Sequence, residues 1–126
     1  MPLVSVVEDD EFFRGSMQQL LRSLGYAVEA FSLAADFLAS RRLDETACLI
    51  ADIHMPTMTG IELHARLIEL GHSIPTILVT AYPDEATRAR ALKDGISCYL
   101  PKPFDDDDLM ACVQKAVESG NRPGSS

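Results

Sequence analysis

What is scarce in this sequence removes several classes of function before any motif is considered. Basic residues are few: 11 Lys and Arg against 19 Asp and Glu leave a net charge of -8 and a pI near 4.7. A chain of that balance lacks the cationic face that nucleic-acid backbones and anionic membranes require, so its expected partners carry positive patches or are metal ions. Long apolar runs are missing too. No stretch approaches the roughly 18 residues of a membrane span, and the opening residues show no basic start, apolar middle and small-residue cleavage site. The cytoplasm is the expected compartment. Cysteine is limited to Cys48, Cys98 and Cys112, an odd set without a CxxC pair, each inside an apolar segment. They read as small buried hydrophobes rather than a zinc or redox site. Glycine-rich nucleotide loops are also absent, since no GxGxxG follows the first apolar run and no GxxxxGK followed by Ser or Thr occurs anywhere. A dinucleotide or P-loop site is therefore not expected.

What is present reads as one α/β domain. A chain of 126 residues with 47% hydrophobic content can bury a core without disulfide or metal staples. Segments at Leu3 to Val7, Tyr26 to Ala30, Cys48 to Ala51, Ile74 to Val79 and Ile96 to Leu100 read as strands, the first and third buried, with Pro75 at a tolerated strand-start position. Helical stripes separate them. Phe13, Met17, Leu20, Leu21 and Leu24 recur at three and four and are closed by Gly25; Ser32 reads as the cap of a short helix carrying Leu33, Phe37 and Leu38. Gly60 begins a helix with Ile61, Leu63, Leu67, Ile68 and Leu70 on its face, stopped by Gly71. Asp84 to Asp94 is a charged segment with a thin apolar face, hence loosely held. The acids Asp105 to Asp108 front a last helix bearing Leu109, Cys112, Val113, Ala116 and Val117. The domain is read as residues 1–119, and residues 120–126 as a linker-like tail. Strand and helix alternating five times predict a doubly wound, five-stranded parallel sheet of order 2-1-3-4-5 between two helical layers.

In such sheets, ligands gather beyond the carboxyl ends of the strands, where the strand order reverses. The residues there are Glu8, Asp9 and Asp10 after the first strand, Asp52 after the third, Thr80 after the fourth and Lys102 after the fifth. Two carboxylates about 5 Å apart repel by roughly 3 kcal/mol at an effective dielectric near 20, so the cluster needs cations. A hard divalent ion, Mg2+ or Mn2+, suits oxygen donors, and Lys102 adds a fixed positive charge. A hydroxyl and an ammonium facing a carboxylate and a metal form a phosphoryl-binding arrangement, with Asp52 as the nucleophile that becomes an acyl phosphate. Singly, each residue has a bland reading as a helix-start acid, a strand-end hydroxyl or a surface lysine. Their joint order along the strand ends carries the functional one.

The segments VVEDD at 6–10, DIHMPTMTG at 52–60, TA at 80–81 and YLPKPF at 99–104 resemble the receiver domains of bacterial two-component response regulators, over residues 3 to about 119. The resemblance implies a flavodoxin-like fold in which Asp52 accepts a phosphoryl group from a sensor histidine kinase. It makes Asp9 a direct and Glu8 a water-mediated ligand of Mg2+ or Mn2+, with Asp52 and the backbone carbonyl of His54 completing the site and Asp10 as an alternative acid. Thr80 and Lys102 would bind phosphoryl oxygens, and the Lys102–Pro103 bond would be cis. The implied switch draws Thr80 inward, turns the ring of Tyr99 and remodels the face made by the fourth helix, the fifth strand and the fifth helix. His54 and Tyr82 would tune the lifetime of the phosphoryl group, with bulky Tyr82 slowing hydrolysis. The implied role is control of an output domain, transcriptional in kind, with a homodimer on phosphorylation and no catalysis beyond its own phosphotransfer and dephosphorylation. MPxMxG and KPF resemble the FixJ-type branch, in which a receiver precedes a helix-turn-helix domain. The competing reading is a small Mg2+-dependent phosphatase with an aspartyl-phosphate intermediate. Such enzymes place a second acid two residues after the nucleophile, where this chain has His54.

Overall fold

An alternation of period two sets the architecture. Leu3–Val7 (β1), Thr46–Asp52 (β3) and Thr76–Thr80 (β4) are buried almost throughout, so successive side chains serve opposite faces of one sheet. Val4, Val6, Cys48, Ile50, Ile77 and Val79 join one apolar cluster; Val7, Leu49, Ala51 and Leu78 join the other. With Ala27–Phe31 (β2) and Cys98–Pro101 (β5), they form a parallel sheet in the expected order β2-β1-β3-β4-β5. The structure, a computed structural model, describes residues 1–120; of the tail read at 120–126, Gly120 is the last residue of the final helix and 121–126 lie outside the described residues.

Helices cover both faces. Glu11–Ser23 (α1) packs Met17 and Leu21 on the first cluster, beside Leu109, Val113, Ala116 and Val117 of Asp106–Gly120 (α5). Ala34–Leu38 (α2), Gly60–Glu69 (α3) and Glu85–Lys93 (α4) lie on the second, through Ala34 and Phe37, Leu63 and Leu67, and Ala91. Burying a Leu or Phe side chain is worth about 1.5–3 kcal/mol. α4 buries only Ala91, which makes it the weakly anchored helix the charged segment suggests. No helix among the described residues is long and apolar enough to cross a membrane.

Several boundaries differ from the sequence reading, each for a physical reason. The cap of α2 is Leu33, not Ser32, and no side chain caps it. α3 does begin at Gly60 as expected, behind Thr59, whose Oγ1 accepts from the Glu62 N–H at 3.1 Å while Glu62 Oε1 accepts from the Thr59 N–H at 2.8 Å, a reciprocal cap. A 3-10 turn, Leu43–Glu45, precedes β3, which begins at Thr46 because Thr46 Oγ1 pairs with Ser5 Oγ at 3.1 Å inside the sheet. β4 starts after Pro75, which has no N–H to give and supplies only its carbonyl, to the Leu49 N–H at 2.9 Å. β5 starts at Cys98 because the Ile96 N–H is used to close α4 on the Ala91 carbonyl at 3.1 Å. Cys48 is wholly buried, whereas Cys98 and Cys112 are half-buried against the same cluster; all three are free thiols. Burial pushes the thiols of Cys48 and Cys112 up, the latter to about 12, so both stay neutral.

Candidate functional site

The carboxyl edge of the sheet gathers Glu8, Asp9, Asp52, Thr80 and Lys102. β1 hands the chain to Glu8, whose N–H donates to the Phe31 carbonyl at 3.0 Å and whose side chain is fully buried; Asp9, the next residue, is exposed. One carboxylate oxygen each from Glu8, Asp9 and Asp52 lie within 4.8 Å of one another. Asp10 is outside this group, because its Oδ1 accepts from the Phe13 N–H at 3.1 Å as the N-cap of α1. Arg14 holds the acidic turn down by donating from Nη1 to the Glu8 carbonyl at 2.8 Å.

Asp52 ends β3 at 6% exposure, with both oxygens engaged. Oδ1 accepts from the His54 N–H at 2.9 Å and Oδ2 from Lys102 Nζ at 2.9 Å. Lys102 Nζ also donates to Glu8 Oε1 at 2.6 Å, and its side chain is 15% exposed. Its backbone N–H donates to the Thr80 carbonyl at 2.7 Å, and the Lys102–Pro103 bond is cis. Thr80 is fully buried, and its Oγ1 accepts from the Tyr82 N–H at 3.0 Å. The rings of His54 and Tyr82 meet edge-on, with centroids 5.2 Å apart, although Tyr82 is 72% exposed. Tyr99 packs against the second cluster, and its hydroxyl accepts from the N–H of Asp84, the N-cap of α4, at 3.1 Å. In the loop after β3, Thr57 takes φ 68, a left-handed conformation that costs a β-branched residue about 1–3 kcal/mol.

Charge at the site is unbalanced. Burial pushes the Glu8 carboxyl up to about 7, despite the lowering bond from Lys102, and neighbouring Asp52 adds to the rise. For Lys102, burial opposes the charge, but the bonds to Glu8 and Asp52 outweigh it and hold the ammonium above its ordinary value. The two directions agree physically: one cation stays charged among three acids and cannot neutralise them all. An all-oxygen donor set with surplus negative charge fits a hard divalent cation such as Mg2+ or Mn2+.

Two neighbours of the site have no local signature in the sequence. Arg14 acts through backbone carbonyls of the preceding turn. Phe13, which periodicity assigns to the apolar stripe of α1, sets its ring 4.1 Å from Lys102 Nζ and meets Phe104 edge-on at 5.5 Å.

The family described as the response regulator receiver domain matches residues 4–114. Nodulation protein W of Bradyrhizobium diazoefficiens is 39% identical over 116 residues, which is 92% of this chain and 51% of that protein. Among solved structures, the response regulator StyR has a TM-score of 0.88 at 39% identity, covering 94% of this chain and 60% of that one. FixJ-N has a TM-score of 0.84 at 32% identity, covering 94% of each. The chain spans about half the length of the curated relatives it matches, 51% for nodulation protein W and for TodT of Pseudomonas putida.

Proposed function

This chain belongs to the response regulator receiver family, and from that premise we propose that it is a cytoplasmic phosphoacceptor switch, charged at Asp52 by the phosphohistidine of a sensor kinase. The observation that carries this reading is the position of Lys102 Nζ, 2.9 Å from Asp52 and 2.6 Å from Glu8 at the switch point of the sheet. A carboxylate oxygen of Asp52 forms the new O–P bond as the P–N bond to the donor imidazole breaks, the electron pair leaving with the nitrogen. The His54 N–H keeps the carboxylate from rotating. Lys102 turns an N–H to a phosphoryl oxygen, and Thr80, which accepts from the Tyr82 N–H, has its own O–H to give. Glu8, Asp9, Asp52 and the carbonyl of His54 would hold Mg2+ or Mn2+, whose chemistry is charge neutralisation at the phosphoryl oxygens.

Phosphorylation takes the charge on Asp52 from -1 to about -2 and adds acceptors that draw Thr80 inward. Tyr99, bonded to the N-cap of α4, then shifts, and α4 is the least anchored helix to follow it. The remodelled face acts on an output domain, transcriptional in kind, and on pairing of two copies. His54 and Tyr82 shield the acyl phosphate with their edge-on rings. Tyr82→Ala is therefore expected to shorten the half-life of the phosphoprotein by roughly threefold, because it opens a path for water without touching Lys102 or Thr80. An unchanged half-life, read by loss of bound phosphoryl, contradicts the shielding.

The domain catalyses its own phosphotransfer and dephosphorylation and turns over no metabolite. The phosphatase reading has no second acid two residues after Asp52, where His54 stands. Incubation with acetyl phosphate and Mg2+ should add one phosphoryl group, read by intact mass, and none to Asp52→Ala. Repeated turnover of small phosphoesters would transfer the argument to the phosphatase.

A further inference from the structure

The ammonium of Lys102 has three N–H bonds, and two acids take one each: Glu8 Oε1 at 2.6 Å and Asp52 Oδ2 at 2.9 Å. On a further side of the nitrogen lies the ring of Phe13, its centroid 4.1 Å away. Phe13 belongs to the first turn of α1, and its ring is fixed by Phe104, perpendicular to it at 89° with centroids 5.5 Å apart. Phe104 stands two residues after Lys102, so lysine, ring and buttress form a closed set.

An aromatic face suits this place for a physical reason. Its quadrupole attracts a cation, yet it carries no charge that could pull the ammonium away from Asp52. An aliphatic side chain would exclude water equally well and attract nothing. A carboxylate would attract more strongly and compete with the phosphoryl group. Of the three groups around the nitrogen, the two acids are also the ones a phosphoryl group and its cation must engage. The ring, which also packs at the margin of the first core cluster, is bound by neither the phosphoryl group nor its cation, so it stays in place when the acids change partners.

We propose that Phe13 is a positioning residue for phosphoryl capture, its ring face holding the Lys102 ammonium beside Asp52 while Phe104 fixes the angle of that ring. The proposal rests on the phosphoacceptor reading above. It assigns a polar task to a residue whose sequence position marks it as core.

Beryllofluoride with Mg2+, a phosphoryl mimic, is titrated calorimetrically into the whole chain and into three versions of position 13. Phe13→Leu should bind it about fivefold more weakly, the size of a partly desolvated cation–π contact. Phe13→Tyr should stay within about twofold of the parent, because it keeps the ring face. Trifluorophenylalanine at position 13 is nearly isosteric with the parent but has its ring quadrupole cancelled, so it should lose as much as Phe13→Leu, with Mg2+ affinity unchanged. Should Phe13→Leu fail to fold, the fluorinated protein decides alone. Full beryllofluoride affinity in the fluorinated protein overturns the role of Phe13 and leaves the phosphoacceptor reading standing. No beryllofluoride binding and no phosphoryl uptake by the unaltered chain overturns that reading and the role of Phe13 with it.

Discussion

Glu8 is the residue at which burial and charge conflict most directly. Its side chain is wholly enclosed, it shares an ammonium with Asp52, and its carboxyl is pushed up to about 7 from an ordinary 4.5. Between those values the folded chain holds a proton that the unfolded chain has released, so the metal-free protein loses stability as pH rises through that window. Urea unfolding in chelator should give a free energy at about pH 5 that exceeds that at about pH 8 by on the order of 2 kcal/mol from this group, the difference flattening in Glu8→Gln. Equal slopes in the two proteins would remove Glu8 as the source. At this scale the sequence was partly legible. Glu8, Asp9, Asp52, Thr80 and Lys102 stand out as chemistry at strand ends, but which of three consecutive acids meets Asp52 is not written locally. Asp10 is set apart because the first helix needs a cap, and its oxygen is used for that.

Among the elements, α3 ties the site to the scaffold. Its first residue, Gly60, is packed so closely that an added Cβ would lie 2.6 Å from the Asp52 carbonyl oxygen and 3.0 Å from Leu78 Cδ2. Helix propensity alone favours Ala over Gly by about 1 kcal/mol, but the clash with backbone must be relieved by moving the end of β3. Gly60→Ala is therefore expected to destabilise the fold by about 2 kcal/mol and to slow phosphoryl uptake at Asp52, checked by the urea midpoint and by intact mass over time. A stabilised variant would mean that the end of β3 yields freely. Element types were legible because apolar period and breakers are local. Gly25 and Gly71 close α1 and α3 at φ 94 and φ 85, as their places after the apolar stripes suggest. The cap Thr59 with Glu62 has a readable signature; the Thr46 start of β3 does not, since its polar partner Ser5 is 41 positions away.

For the whole molecule, the surplus of acids couples stability to cations. A site formed only in the folded chain stabilises it by mass action, by about 1.4 kcal/mol when the free ion is tenfold above its dissociation constant. Mg2+ should therefore raise the melting temperature by a few degrees in calorimetry, and chelator should reverse the rise. Asp9→Asn should melt higher than the parent in chelator, because one like charge is gone, and should no longer respond to Mg2+. A parent that melts identically with and without Mg2+ would contradict a cation site at the three acids.

The amino-acid order by itself determined that there are five strands with helices between them, and which residues stand at the strand ends. Both follow from the spacing of apolar residues and acids within short windows of chain. Only the tertiary structure decided that Lys102 reaches Glu8 and Asp52, 94 and 50 positions away, that His54 and Tyr82 meet, and that the ring of Phe13 lies against the ammonium. Those distances are set by sheet register and by how α1 seats on the sheet, and no short stretch of the chain contains either.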